Sequence, residues 1–244
     1  VRPHSEDSMQ PMAGQDLLDW AQLGPVTTLF VHELHYGALA FMVLAYTIKI
    51  RQLLKLPAIV EGTPPRGSHP QAIRYAYLTL AMPWELESQR RNWSSYVEFA
   101  LFHIAIAFGI GTAFTLPIAY EAMRSSLVVS SLQWIFTIGA AIGLIRLGNR
   151  LMRRELRAIS SPDDYFCLTM LTLWLASGVM AVPQKSEVGL LVFYVLATFF
   201  LIYVPFSKIS HYIYWPFIRY YVGKHFGHRA VYPKKAVPKL ESVG

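Results

Sequence analysis

The stretch Glu98–Phe114, EFALFHIAIAFGIGTAF, decides the fold. After Glu98 its only polar side chains are His103 and Thr112. With its flanks, from about Tyr96 to Tyr120, it is long enough to cross the roughly 30 Å hydrocarbon core as one helix. Four more stretches qualify: about Val26 to Leu53, about Leu127 to Leu147, about Tyr165 to Val182 and about Val188 to Tyr212. The whole chain agrees, with 54% apolar and only 15% charged residues, against about 25% charged in soluble domains. The predicted fold class is all-α, a polytopic bundle of five transmembrane helices.

Charge orients the bundle. The loop after the first span holds Lys55, Arg66, Arg74, Arg90 and Arg91. The third span exits into Arg146, Arg150, Arg153, Arg154 and Arg157, and the tail carries Arg219, Lys224, Arg229, Lys234, Lys235 and Lys239. Five spans place these regions on one side. The opposite side receives the acidic N-terminus and two short turns, near Glu121 and Arg124 and near Lys185 and Glu187. The positive-inside rule then puts the N-terminus outside and the C-terminus in the cytoplasm. The expected organisation is a polar segment 1–25, a transmembrane domain 26–216 with a cytoplasmic loop 55–95, and a basic tail 217–244. The expected location is the inner, cytoplasmic membrane, as a multi-pass protein. The first segment is polar and acidic, unlike a cleavable signal. Within the loop, LPAIVEGTPPRGSHPQ reads as irregular and AIRYAYLTLAMPWELESQRRNW as a short helix broken at Pro83.

The net charge of +7 is explained by membrane loops. No nucleic-acid motif accompanies it, so no nucleic-acid partner is expected. Cys167 is the single cysteine, which excludes an internal disulfide, a c-type haem motif and a chain-borne iron–sulfur cluster.

The histidines carry the chemistry. His4, His69, His225 and His228 lie in polar or basic segments and read as solvated surface groups. His103 lies about 10 Å into the second span, at 1.5 Å per residue. His211 lies near the end of the fifth, toward the same side. Two neutral imidazoles on different helices are the axial pair a six-coordinate b-type haem needs. Ala107 and Gly111, one and two turns beyond His103, leave room for a flat ring. Arg90, Arg91, Lys208 and the arginines after the third span are candidate partners for propionates. The bland alternative for His103 is a helix–helix hydrogen bond to Ser, Thr or a carbonyl. For His211 it is an interfacial side chain.

The segments EFALFHIAIAFGIG and LIYVPFSKISHYIYWP resemble the gamma subunit of respiratory nitrate reductase and its relatives, the membrane cytochromes b of heterodisulfide reductase and of sulfate-reducer complexes. LFHI and PFSKISH carry the resemblance, which covers about residues 95–216. It implies that His103 and His211 ligate the iron of a haem b nearer the cytoplasm. It also implies a quinol-linked cytochrome that exchanges electrons with a cytoplasmic iron–sulfur or other redox subunit, or with an outer-face cytochrome c. The chain would be an electron-transfer subunit of an oxidoreductase complex, not a complete enzyme. The family's second haem uses two further histidines, and those positions here are Ala113 and Phe193. Neither ligates iron, so one haem b is expected, with an apolar volume beside Ala113 and Phe193. The first span carries FVHELHY in the half facing that volume. His32, Glu33 and His35 are therefore candidates for a quinone or quinol site, or for a second haem completed by a partner chain. The bland reading is a pair of interfacial histidines among lipid headgroups. The loop 55–95 and the tail are expected to contact a cytoplasmic partner or anionic lipid. The alternative function is a non-redox membrane anchor or transporter component.

Overall fold

Hydrocarbon offers the backbone no hydrogen-bond partner except itself, so each apolar stretch closes into a helix. The computed structural model describes residues 17–57, 60–85 and 87–233. Most of the polar segment 1–25 and the lysines of the tail end lie outside the described residues. The described residues form helices and turns, without a strand. Five helices are long and apolar enough to cross a membrane: Pro25–Leu54 (α1), Trp93–Thr115 (α3), Ser126–Met152 (α4), Pro162–Ala181 (α5) and Glu187–Tyr203 (α6), the last continued by a 3-10 turn to Phe206. Two further helices matter as well, His69–Leu78 (α2) and His211–His228 (α7).

The fifth span is a correction to the sequence reading. It ends near Tyr203 rather than running on to Tyr212. Pro205 lacks an amide hydrogen and so cannot continue the helix's hydrogen-bond ladder, although Val204 before it keeps helical backbone, at φ −54° and ψ −41°. The chain passes through the 3-10 turn Val204–Phe206, and Ser207 is extended, at φ −105° and ψ 173°. Lys49 donates to the carbonyl of Pro205 and lies 4.9 Å from the Phe206 ring. His211 therefore opens a separate helix.

The chain divides into two compact units, one of residues up to Gln52 with Val97–Ile209, the other of Leu53–Tyr96 with the chain from Ser210 onward. In the first, Phe102 and Ala105 of α3, Val129, Leu132, Phe136 and Ile142 of α4, and Leu175 and Val182 form one buried cluster. Small residues let these helices touch. A Cβ on Gly139 would stand 2.4 Å from the Ala105 Cβ, and one on Gly143 2.2 Å from the Thr172 hydroxyl. In a membrane, where the surroundings are as apolar as the side chains, such close van der Waals packing carries helix association.

One end of this unit is tied by polar groups. Gln184 is wholly buried and sits in left-handed backbone, at φ 53°. Its Oε1 accepts from the Trp20 indole at 2.8 Å and from Arg124 at 3.3 Å, and its amide donates to the Tyr120 carbonyl at 2.9 Å. Beside it, Glu187 accepts from the Gly24 amide at 2.8 Å and the Thr27 hydroxyl at 2.6 Å. The N-terminal segment and the turns after the second and fourth spans thus meet. Five alternating crossings require those three to share a side.

The second unit joins the loop after the first span to the segment after the fifth, which the same parity demands. Its helices α2 and α7 cross closely. A Cβ on Gly223 would stand 2.5 Å from the Ile73 Cα, and one on Gly227 2.6 Å from the Ala72 Cβ. The described strap 60–68 is irregular, as expected, though the helix α2 begins at His69, inside the stretch read as irregular, and the strap is fastened to α7. The Arg66 amide donates to the His228 carbonyl at 2.8 Å, and Glu61 meets His225 at 2.9 Å and Arg229 at 3.0 Å. His225 and His228 are therefore not solvated surface groups. His228 is buried and stacks on His69 at 5.6 Å.

Candidate functional site

His103 stands on the exposed face of α3, in line with Ala107 and Gly111, which are also exposed. A Cβ on Gly111 would meet nothing within 4 Å. The His103 Nδ1 lies 2.8 Å from the carbonyl oxygen of Phe99 one turn earlier. A carbonyl only accepts, so Nδ1 carries the hydrogen and, in the neutral ring, Nε2 carries the lone pair. A histidine that ligates a metal through Nε2 is commonly oriented in this way. The Phe99 ring packs on the imidazole at 4.0 Å and restricts its rotation. The face is thus small, open and fitted with a correctly tautomerised nitrogen. His211 is exposed at the first position of α7. His103 belongs to the first compact unit and His211 to the second.

Lys208, one of the residues set aside for propionates, is already engaged. Its ammonium donates to Ser161 at 2.7 Å and Asp164 at 2.8 Å, at the capped start of α5. Arg91 pairs with Glu87, and Arg146 lies 3.8 Å from Glu98. No group of three or more His, Cys, Asp or Glu side chains suited to a metal ion occurs among the described residues. A metal held by protein side chains alone therefore has no candidate there, whereas a haem asks the protein only for axial ligands.

The second cluster does not hold together as one site. Residues 29–34 form a π-helical turn at the start of the first span. Such turns shift the register of a helix and recur at functional sites. Beyond it, His35 falls on the buried stripe of α1 with Thr27, Val31, Ala38 and Tyr46. It is 1% exposed, its ring packs against Phe114 at 5.2 Å and Tyr194 at 5.4 Å, and neither ring nitrogen has a hydrogen-bond partner among the described residues. His32 is half-buried and Glu33 is exposed. The volume expected beside Ala113 and Phe193 is filled. These residues are 2% and 1% exposed, Phe193 stacks on Trp174 at 5.5 Å, and the Tyr194 hydroxyl donates to the Ala113 carbonyl at 3.0 Å. Aromatic side chains occupy the space beside Ala113 and Phe193.

The open space lies elsewhere. A groove of about 610 Å³ runs between α1 and α6, lined by Phe30, Glu33, Gly37 and Phe41 on one side and Thr198 and Phe199 on the other, among others. Of the three first-span candidates only Glu33 reaches it. Thr198 was not a sequence candidate. Its sole sequence signal is a hydroxyl inside the apolar run VLATFF.

Compared with protein-family models, with curated proteins and with solved structures, the chain matches none.

Proposed function

We propose that the chain is a haem b membrane subunit that carries electrons between the quinone pool and peripheral redox subunits of a respiratory complex. The observation that carries this reading is the His103 imidazole. It stands with Ala107 and Gly111 on the exposed, small-residue stripe of a membrane helix, and its Nδ1 hydrogen is donated to the Phe99 carbonyl, which makes Nε2 the acceptor nitrogen of the neutral ring. An intramembrane ionisable residue is costly and is by default functional. His103 and His211 would hold the iron, in keeping with the motifs LFHI and PFSKISH. The haem would supply one-electron transfer. The protein's own contribution is to fix the tautomer through Phe99 and to keep the cofactor face clear of large side chains. Asp163, Asp164 and Lys208 anchor the segment between Pro205 and His211.

The test is haem per chain by pyridine haemochromogen, with reduced-state spectra of the purified protein. One b haem with low-spin α and Soret bands is expected. His103→Ala and His211→Ala should each abolish the bis-histidine signal. A colourless protein after expression with ample haem, or unchanged spectra in His103→Ala, would overturn the reading in favour of a non-redox anchor.

A further inference from the structure

In the second compact unit the acids are used up and the cations are not. Its described acids are all engaged: Glu61 by His225 and Arg229, Glu85 by the Tyr75 hydroxyl at 2.6 Å, and Glu87 by Arg91. The side chains of Lys55, Arg74 and Lys224 have no hydrogen bond or ion pair with any described residue. Cations that no acid answers make a surface that attracts anions. The same unit contains a pocket of about 350 Å³, lined by Leu53 and Leu54 at the end of α1, Tyr77 of α2, and Phe217, Tyr220 and Tyr221 of α7, among others.

Two of the cations meet at one end of this pocket, because α2 and α7 run antiparallel. The Tyr77 hydroxyl donates to the Pro216 carbonyl at 2.6 Å, whereas Ile73 meets Gly223 and Ala72 meets Gly227. Arg74 and Lys224, the residues after Ile73 and Gly223, therefore stand at one level, on the side away from Pro216. Lys224 follows Tyr220 by four residues and Tyr221 by three, so it shares their helix face, and Arg74 is related to Tyr77 in the same way. Lys55 follows Leu54 directly, where the chain sets out toward Glu61 and its contact with His225. Tyr220 is 45% exposed, and its hydroxyl has no partner among the described residues. The pocket takes in the last two residues of a membrane span, so it lies at the depth where hydrocarbon gives way to headgroups. The chain around it has the composition of that zone. Six of the ten residues 212–221 are aromatic, and Tyr and Trp collect at the membrane–water interface. An apolar slot at that depth with cations at one end matches an acyl chain and an anionic head. An acidic protein surface would use the cations and leave the slot empty.

We propose that this pocket binds an anionic phospholipid, with an acyl chain against Leu54, Phe217 and Tyr221 and the phosphate held by Arg74 and Lys224, close to Lys55 and the Tyr220 hydroxyl. The guanidinium fork and the ammonium both donate to phosphate oxygens. The lysine stem lies along apolar surface while its charge stays with the headgroup. The lipid supplies the anion that the engaged acids of this unit do not, and the site depends on neither haem nor quinone.

The experiment uses the full chain in phosphatidylcholine nanodiscs doped with phosphatidylglycerol that carries a photoactivatable diazirine on one acyl chain, and maps the label by peptide mass spectrometry. Label is expected on Leu53, Leu54, Tyr77 and Phe217–Tyr221. Unlabelled phosphatidylglycerol should remove it, and added phosphatidylcholine or inorganic phosphate should not. Arg74→Gln and Lys224→Gln should each raise the half-saturating fraction of phosphatidylglycerol about tenfold, on the scale of one lost hydrogen bond to a charged group. Lys224→Arg keeps the charge and should label as the wild type does, which separates loss of charge from loss of folding. Lys185→Gln, outside this unit, should change nothing. In native membranes a photocrosslinking residue at position 220 should capture phospholipid. Equal labelling by a phosphatidylcholine probe, label unaffected by both glutamine variants, displacement by inorganic phosphate, or a protein adduct in place of lipid at position 220 would each overturn the proposal.

Discussion

Gln184 is a single side chain on which three chain segments depend. Its amide oxygen and nitrogen are both used, by Trp20, Arg124 and Tyr120, in a position fully removed from solvent. Gln184→Ala strands those groups, and each buried polar group left unpaired costs about 1–3 kcal/mol. The expected outcome is a lower thermal transition in detergent, by at least the equivalent of one such group. Gln184→Gly removes the same bonds but suits the left-handed backbone at φ 53°. It should be more stable than the alanine variant by about 1 kcal/mol, and equal stabilities would show that backbone strain plays no part. His35 makes the contrast. Its periodicity was readable, since Thr27, Val31, His35 and Ala38 recur at helical spacing. Which face of the helix was the buried one was not readable, because the other faces of α1, Glu33 and the basic end apart, are largely apolar as well.

At the scale of elements, glycine determines how the helices meet. Gly139 and Gly143 place α4 against Ala105 of α3 and Thr172 of α5. Gly139→Ala gains about 1 kcal/mol in helix propensity. It also forces a new Cβ onto one that is fixed to its own backbone, 2.4 Å away. Overpacking of that kind costs about 1–3 kcal/mol, so the clash wins and the variant should unfold at lower temperature. Gly148→Ala, on the same helix with only the flexible end of Met152 at 3.8 Å, should be neutral or stabilising. If both variants behave alike, close approach at Gly139 is not what holds the helices. Pro205 teaches the converse. The proline was visible in LIYVPFSKISH, but hydropathy runs straight through it, and a reading by hydropathy carried the fifth span too far.

At the scale of the whole molecule, two expectations follow from charge. His225, and after it Arg229, hold the Glu61 carboxyl below its usual range. A depressed carboxyl contributes stability above its unfolded value and loses it as pH falls through the lowered one. The strap around Glu61–Ser68 should therefore lose hydrogen-exchange protection as pH drops below the ordinary carboxylate range. Glu61→Gln should remove that pH dependence, and a wild-type strap equally protected throughout acid pH would contradict the clasp. The second expectation is topology. We expect a cysteine introduced at Gly62 to be labelled only from the cytoplasmic side and one at Lys185 only from outside, Cys167 being buried. The opposite pattern would invert the orientation that the basic loops imply.

The sequence by itself determined the number of spans and their alternation, because hydrocarbon demands about twenty apolar residues per crossing and charge avoids it. It also singled out His103, since an imidazole in such a run is conspicuous against its neighbours. Only the tertiary structure decided that Glu33 and His35, two residues apart, lie in different environments, that the buried Thr198 hydroxyl has no partner among the described residues, and that the space near Ala113 and Phe193 is filled by aromatic rings. The reason is physical. Spanning a membrane is a property of local composition. Filling a cavity or satisfying a hydroxyl depends on which side chains from distant segments arrive at the same depth, and in a helix apolar on every face the pattern along the chain does not specify that.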